Sequence, residues 1–313
     1  MAPIRPPDDV APGSRWSGFL EPLGGEAPPV PCHVLQGSSA GPTLLVTAGI
    51  HGAEYASIAA AQRLAALDPA QLSGRLVIVP IVNTSAYVAR SIYVNPLDGK
   101  NLNRVFPGRA DGSASERLAH WLVIELMAKA DAYLDLHGGD LIEALTPFAI
   151  HWRDDGASAA MADAFGLPFR IEETGAGMTF AAAHDLGIPA VLAEAGGQGL
   201  WPDSAVAMLE EGARRVLAHL GMGAGDVPAG EPSRVIDTFA WSRSEHAGCW
   251  YPAVTAGEGV HRGQALGTVT DLLGETLQEA RSTVDGTVLF AVTSLAINAG
   301  DPLVGVGVPA TDM

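Results

Sequence analysis

The chain has 313 residues, of which 48% are hydrophobic and 17% charged, and its 18 lysines and arginines stand against 35 aspartates and glutamates, a formal net charge of −17. This composition excludes a disordered tail or a coiled coil, and the length suffices for one large domain or two modest ones. The negative charge disfavours nucleic acid or an anionic membrane as partner, because their phosphates attract positive charge.

Secretion and membrane insertion are also disfavoured by the sequence. Cys32 and Cys249 lie far apart, and residues 1–16 are Pro-rich and acidic, without the apolar segment of a signal peptide. The longest apolar runs, Thr43–Ile50 and Leu76–Val82, are too short to span a bilayer. We therefore expect a cytoplasmic protein without a membrane partner.

Strand-like and helix-like segments alternate along the first 225 residues. Buried strands are predicted at Thr43–Gly49, Arg75–Val82, Ala132–His137 and Ile188–Glu194. Helices are predicted at residues 53–67, 113–129, 157–165, 178–186 and 204–220. This alternation is typical of an α/β fold, in which a mostly parallel or mixed sheet is flanked by helices.

The composition changes in the Gly- and Pro-rich stretch Gly221–Pro232, which favours a domain boundary between residues 225 and 226. Residues 226–313 would form a small β-domain. Within it, Val260–Leu266 and Ile297–Leu303 share the pattern apolar-x-x-Gly-polar-x-Leu, which resembles the repeat of a biotinyl/lipoyl-carrier barrel. A carrier function is excluded, because residues 233–313 contain no lysine that could hold the cofactor.

A histidine and a glutamate follow the predicted strand Thr43–Gly49. His51 and Glu54 are three residues apart, so an imidazole and a carboxylate can converge in the turn that leads into the next helix. Ligands bind at the carboxyl ends of strands in open α/β sheets, and both side chains are zinc ligands. A polar cluster that only caps the helix is the alternative to a metal site.

A second predicted strand ends in Asp135 and His137, followed by two glycines. Residues two apart in a strand point to the same face, which suits a carboxylate that orients a metal-bound imidazole. A buried histidine satisfied by one hydrogen bond is the alternative. Two strand ends with compatible ligands favour the metal site.

Two further segments carry candidate site residues. Glu194 ends an apolar strand before Ala-Gly-Gly, where its carboxylate suits a general base or, alternatively, a cap for the following turn. In the turn-rich loop Asn95–Gly108, Arg104 could bind a substrate carboxylate with Asn103 beside it, or form a surface ion pair.

These motifs occur in a fixed order along the chain: His-x-x-Glu, Asn-Leu-Asn-Arg, Asp-Leu-His, and Glu-Ala-Gly-Gly. Together they resemble the succinylglutamate desuccinylase/aspartoacylase family, relatives of the zinc carboxypeptidases. The resemblance covers about residues 43–200, and a trailing β-domain fits the family as well.

The resemblance implies roles for six residues. The ligands of one Zn²⁺ would be His51, Glu54 and His137. The pair that holds a substrate carboxylate would be Asn103 and Arg104, and the catalytic carboxylate would be Glu194.

The chain departs from the family pattern in its central loop. Asn101 stands where the family tends to have the aspartate of Asp-Leu-Asn-Arg. The family also uses an arginine to polarise the scissile carbonyl, and Arg90, upstream in the same connection, is the candidate.

We therefore expect residues 1–225 to form the catalytic domain of a zinc-dependent hydrolase. It would cleave the amide bond of a small N-acyl amino acid or related carboxylate, with an activated water and Glu194 as general base. A metallocarboxypeptidase acting on short peptides and a non-catalytic binding module on the same fold are the alternatives. The expected partner is a small carboxylate, homo-oligomerisation is compatible with the sequence, and we expect the β-domain to roof part of the cleft.

Overall fold

The structure is a computed structural model that describes residues 4–223, 228 and 230–310. The strands up to residue 223 are β1 (Ser14–Leu20), β2 (Val30–Gln36), β3 (Ser39–Ala48), β4 (Ser73–Val79), β5 (Ala132–His137), β6 (Glu143–Leu145), β7 (Phe148–Trp152), β8 (Phe169–Glu173) and β9 (Ala190–Glu194). The helices are α1 (Tyr55–Leu64), α2 (Thr84–Ala89), α3 (Ala114–Trp121), α4 (Gly156–Phe165), α5 (Thr179–Asp185) and α6 (Asp203–His219).

The α/β region is built around three adjacent parallel strands, β3, β5 and β9. Helices α1, α4 and α6 pack on one face of the sheet, and α3 and α5 pack on the other. Both faces of these strands are therefore buried, which is why their sequences are mostly apolar. The predicted strands and helices are all present, with shifts at their ends, and the mixed α/β fold is confirmed.

The sheet is extended at both edges by strands that were not predicted. On one side the antiparallel hairpin of β1 and β2 pairs with β4. On the other side β7 pairs antiparallel with β9 and parallel with β8. The sheet is therefore mixed rather than wholly parallel.

The segment predicted as a helix over residues 113–129 is helical along most of its length, but only its first part is an α-helix. After α3 it continues as a π-helical turn at Leu122–Leu126 and a 3₁₀ turn at Met127–Lys129. The backbone N–H of Ser113 donates to the Glu116 carboxylate at 2.9 Å, which caps the start of α3.

The C-terminal region consists of strands that complete the large sheet and form a second one. They are β10 (Arg234–Arg243), β11 (Gly248–Pro252), β12 (Gly259–Val260), β13 (Ala265–Thr270), β14 (Thr276–Arg281), β15 (Gly286–Val292), β16 (Ala296–Ile297) and β17 (Pro302–Pro309). Within the described residues, β10, β17, β15 and β12 continue the large sheet, which has thirteen strands with β6, and the other four strands form the second sheet.

The C-terminal region is joined to the α/β region by backbone pairing. β10 runs parallel to β8 along Phe169–Ile171, and β6 pairs antiparallel with β15. A separate β-domain was predicted from the sequence, but the strand pairing that joins it to the large sheet was not. The predicted boundary between residues 225 and 226 lies outside the described residues.

The two repeated segments of the C-terminal region have matching local structures. Each leaves a two-residue strand, β12 or β16, turns through a glycine, and enters a longer strand. Gly263 and Gly300 have φ values of 84° and 90°, a left-handed conformation that favours glycine. The same turn conformation therefore favours a glycine in both segments.

Among the described residues, no helix is both long and apolar enough to cross a membrane.

Candidate metal centre and substrate cavity

The predicted ligand residues are brought together by strand topology. His51 follows β3, and Glu54 directly precedes α1. His137 ends β5, and Glu194 ends β9. Because these three strands are adjacent and parallel, their carboxyl ends meet at one edge of the sheet.

Three of these side chains converge on one point. One carboxylate oxygen of Glu54 lies 2.7 Å from Nδ1 of His51, and the other lies 3.0 Å from Nδ1 of His137. One ligand atom from each residue lies within 4.8 Å of the others, and all three residues are buried. Two imidazoles and one carboxylate facing a cavity form a donor set suited to catalytic zinc, so these residues fit the metal.

The charges of this cluster act on one another. Burial alone would raise the pKa of the Glu54 carboxyl, but the imidazoles of His137 and His51 hold that pKa below its usual range. Burial would lower the pKa of His137, but the carboxylates of Glu54 and Asp135 raise it well above its usual value. Glu54 is therefore ionised, as a metal ligand must be.

The second nitrogen of each imidazole has its own acceptor. Nε2 of His137 lies 3.0 Å from Oδ2 of Asp135, and Nε2 of His51 lies 3.0 Å from Oδ1 of Asn101. For the metal-bound state we assign the single proton of each ring to Nε2, because this tautomer satisfies both contacts and leaves the two Nδ1 lone pairs for the metal.

Asp135 is itself held by two hydroxyl groups. Thr47 Oγ1 donates to its Oδ1 at 2.6 Å, and Thr179 Oγ1 donates to its Oδ2 at 2.5 Å. The side chain is fully buried, so these hydrogen bonds and His137 replace the water that its charge has lost. Asp135 occupies the position expected of a residue that orients His137.

Glu194 lies directly opposite His137 in the register of β5 and β9. Its Oε2 is buried and has no hydrogen-bond partner among the described residues. Burial raises the pKa of Glu194 well above its usual range, and the charges of Glu54 and Glu143 raise it further, against the effect of His137. A carboxyl with a raised pKa and an unpaired oxygen can accept and return a proton.

The predicted carboxylate-binding pair lies in a 3₁₀ turn at Leu102–Arg104. Arg104 is exposed, lines the cavity beside the metal cluster and donates from Nη1 to the Asn103 carbonyl oxygen at 2.7 Å. Asn103 is buried, and its Oδ1 accepts a hydrogen bond from the Thr179 backbone N–H at 2.9 Å. The guanidinium thus remains exposed toward the cavity, and Asn103 anchors the turn.

Arg90 is not brought to this cluster, contrary to the prediction. It ends α2 in a left-handed conformation with φ of 54° and lines a separate surface pocket with Tyr55, Tyr87 and Trp201. The turn at the end of α2 directs its side chain to that pocket. The position of Arg90 gives no support to a role at the scissile carbonyl.

The cavity has a volume of about 320 Å³ and two unlike sides. The side that we call the strand-end wall comprises the lining residues His51, Glu54 and Glu194, together with His137, which is buried in contact with Glu54. The side that we call the aromatic wall comprises Phe239, Trp241 and Phe290, which come from the C-terminal region. The C-terminal region therefore encloses part of the cleft.

Several residues of the site were not identified from the sequence. Asn101 was read only as a departure from the family pattern, although its amide oxygen supports His51. Tyr93 and Glu143 also line the cavity, and the Tyr93 hydroxyl donates to Oε1 of Glu143. Tyr93 lies in a loop and Glu143 in a three-residue strand, so neither has a periodic sequence signal. Their closeness along the chain to the recognised motifs was the only available indication.

Known proteins are similar to this chain over most of its length. The succinylglutamate desuccinylase/aspartoacylase catalytic-domain model matches residues 40–220. The N-alpha-acetyl-L-2,4-diaminobutyric acid deacetylase of Halomonas elongata is 34% identical over 278 residues, covering 84% of this chain and 81% of that protein.

Solved structures share the whole architecture. The ectoine utilization protein EutE (DoeB) from Ruegeria pomeroyi, in a product-bound structure, has a TM-score of 0.88 at 32% identity, covering 98% of this chain and 99% of that one. A succinylglutamate desuccinylase from Silicibacter sp. TM1040 has a TM-score of 0.87 at 29% identity, covering 99% of both chains. With the family match over more than half of its length, the chain belongs to the succinylglutamate desuccinylase/aspartoacylase family.

Proposed function

We propose that this protein is a zinc-dependent deacylase that hydrolyses the amide bond of a small N-acyl amino acid. The observation that carries the proposal is the buried cluster of His51, Glu54 and His137, which opens on the same cavity as Glu194 and Arg104. This hydrolysis needs metal ligands, a proton acceptor and a cation that binds the substrate carboxylate. The cluster, Glu194 and Arg104 would supply these three parts.

Zinc held by this cluster would lower the pKa of a water molecule to about 7 and polarise the substrate carbonyl. Glu194 would accept the proton of the attacking water and deliver it to the leaving nitrogen. The C–O bond to the water oxygen forms first, and the C–N bond then breaks as the carbonyl re-forms, so the products are a carboxylic acid and a free amine. Oε2 of Glu194, which has no hydrogen-bond partner within the part of the chain that the structure describes, supports this role.

Substrate orientation would depend on the loop of Asn103 and Arg104. The Arg104 guanidinium would bind the carboxylate of the amino acid by paired hydrogen bonds. Since Oδ1 of Asn103 is already engaged by Thr179, its amide nitrogen would be the group that contacts the substrate. Fixing the carboxylate at this distance from the metal would place the amide bond for attack.

Among acyl amino acids we propose N-acetyl-2,4-diaminobutyrate as the first candidate. The Halomonas relative is a deacetylase of that class, and its similarity covers most of both chains. The carboxylate of Glu173 also lines the cavity, and it would attract the second amino group of this substrate.

Three other features stay predictions. The matching turns at Gly263 and Gly300 support a barrel-like arrangement of the C-terminal region similar to a biotinyl/lipoyl domain. A cytoplasmic location rests on the sequence interpretation alone, and a homo-oligomer is compatible with that interpretation. Size-exclusion chromatography with light scattering would measure the oligomeric state.

The test is hydrolysis by the purified protein loaded with about one equivalent of zinc. The substrate panel should contain N-acetyl and N-succinyl amino acids, including N-acetyl-2,4-diaminobutyrate, and dipeptides with a free C-terminus. We expect release of the free amine from N-acyl amino acids and little hydrolysis of dipeptides. The reverse preference would identify a metallocarboxypeptidase. A zinc-loaded protein that hydrolyses no member of the panel would refute the proposed enzymatic activity.

A further inference from the structure

Tyr93 is a cavity residue to which the chemistry proposed above gives no role. It lines the same cavity as His51, Glu54 and Glu194, and it belongs to the loop between α2 and the Leu102–Arg104 turn. Arg90, three residues before it, lines a different pocket. Tyr93 therefore brings a hydroxyl hydrogen-bond donor from this loop to the cavity.

The backbone of Tyr93 is held in an unfavourable conformation. Its φ is 60°, a left-handed value that is uncommon for a bulky residue other than glycine. The backbone N–H donates to Oδ2 of the fully buried Asp140 at 2.8 Å. Such strain persists where surrounding contacts impose it, and it concentrates at functional sites.

The hydroxyl of Tyr93 is held by a second buried carboxylate. It donates to Oε1 of Glu143, whose Oε2 accepts the backbone N–H of Asp140 at 2.9 Å. Asp140 and Glu143 thus fix Tyr93 at the two ends of the residue. Tight fixation of one phenol at the cavity surface is what a preorganised donor requires.

We propose that Tyr93 is a catalytic residue whose hydroxyl donates a hydrogen bond to the oxyanion that develops on the scissile carbonyl oxygen. In this proposal Glu143 is the positioning residue that orients the phenol. The inference rests on the proposed function, because it assigns a role in that same deacylation. The phenol keeps its proton throughout, and only its hydrogen bond is redirected from Glu143 to the substrate oxygen.

The electrostatic surroundings support a donor that stays protonated. Burial raises the pKa of the Tyr93 hydroxyl, and the nearby charges of Glu143 and Asp140 raise it further. Burial also raises the pKa of Glu143 to about 7. When Glu143 carries a proton, it can donate to the Tyr93 oxygen and leave the phenol hydrogen free for the oxyanion.

The primary test compares Y93F with the zinc-loaded wild type. Loss of one oxyanion donor lowers kcat by about 10²-fold, and we expect KM and zinc content to stay unchanged. The matched control is Y87F, which removes the hydroxyl of an exposed tyrosine in the separate pocket of Arg90 and should keep wild-type kcat.

The second readout is binding rather than turnover. A phosphonamidate analogue of the best wild-type substrate presents tetrahedral oxygens where the oxyanion forms, and calorimetry should show about 10²-fold weaker binding to Y93F. Affinity for the free amino acid product should not change. If Tyr93 has only a structural role, Y93F should bind the analogue and the product more weakly by the same factor.

A pair of Glu143 variants tests the positioning role. E143Q keeps an acceptor for the phenol and should retain most of kcat, whereas E143A should lower kcat at least about tenfold with KM unchanged. If Y93F does not fold, this pair decides the question, and equal kcat values for the two variants would overturn the proposal.

The two proposals fail in different ways. An active wild type whose Y93F variant keeps kcat and analogue affinity within about threefold would overturn only the role of Tyr93. A zinc-loaded wild type that hydrolyses no member of the panel would overturn the proposed function, and the role of Tyr93 with it.

Discussion

The strand-end wall and the aromatic wall enclose the same cavity but are stabilised by different forces. On the strand-end wall, His137 contacts two carboxylates, and one of these, Asp135, is held by two hydroxyl groups. On the aromatic wall, ring centroids lie 4.7 Å apart between Phe239 and Trp241 and 5.0 Å apart between Trp241 and Phe290. The first wall is a hydrogen-bonded network of charges, and the second is a packed set of rings.

This difference predicts how each wall responds to change. A buried polar network fails when one member is removed, because the remaining charges lose their partners. Packed rings lose contact area in proportion to what is removed. Substitutions on the strand-end wall should therefore abolish the reaction, and substitutions on the aromatic wall should alter which substrates bind.

The largest effect is expected from His137→Ala. It removes a ligand and leaves Glu54 and Asp135 without their shared cation, so bound zinc should be lost and activity should fall by at least about 10⁴-fold. Zinc per chain by atomic emission and the rate on the best substrate measure this. The control His261→Ala changes an exposed histidine of the C-terminal region; retention of zinc by His137→Ala would contradict the ligand assignment.

Glu194→Gln should separate proton transfer from metal binding. The amide matches the carboxylate in shape but cannot accept a proton, so we expect kcat to fall by about 10³-fold while zinc content stays at the wild-type level. Glu279→Gln, on an exposed face of β14, is the control. Full activity in Glu194→Gln with zinc bound would exclude Glu194 as the base.

Glu143 also lines the cavity, and its titration should appear in the pH dependence of stability. Its pKa is about 7 in the folded chain against 4.5 for an ordinary glutamate. Between these pH values the folded state binds more protons than the unfolded state, so the free energy of unfolding should fall as pH rises, by about 3 kcal/mol in total. Above pH 7 this contribution stays constant.

The measurement is urea unfolding of the metal-free protein from pH 4.5 to 8, for wild type and Glu143→Gln. The variant cannot titrate at this position, so its stability relative to the wild type should increase with pH across this interval. A constant difference between the two proteins would mean that Glu143 titrates normally.

The smallest effect is expected from Trp241→Ala on the aromatic wall. Loss of ring contact with the substrate should raise KM by about tenfold, equivalent to 1–2 kcal/mol of apolar burial, and leave kcat within about threefold. Tyr251→Ala, an exposed aromatic of β11 outside the cavity, is the control. A fall in kcat at constant KM would show that the aromatic wall also acts on the transition state.

The sequence predicted the strand-end wall because its signals are local. His137 and Glu194 are each the last residue of a strand, and parallel strands bring their carboxyl ends together. The pattern of strands and helices was sufficient to predict the α/β core for the same reason.

The rest of the site depends on contacts between distant segments. The aromatic wall reaches the cavity because β10 pairs with β8 across the Gly- and Pro-rich stretch, and no local pattern encodes that pairing. Tyr93 and Arg90 are themselves left-handed residues of this connection, and their side chains line different pockets. Backbone reversals of this kind are set by their surroundings and have no periodic signal.

The pairing of β6 with β15 and of β8 with β10 also bears on how substrates enter. Two separate hydrogen-bonded ladders attach the aromatic wall to the framework of the metal cluster. A hinge motion that carried this wall away would break both ladders at once. Entry and release should therefore depend on rotamer changes of partly exposed side chains such as Trp241, which occur in picoseconds to nanoseconds. Turnover would then proceed without the slow closing step that limits enzymes with mobile lids.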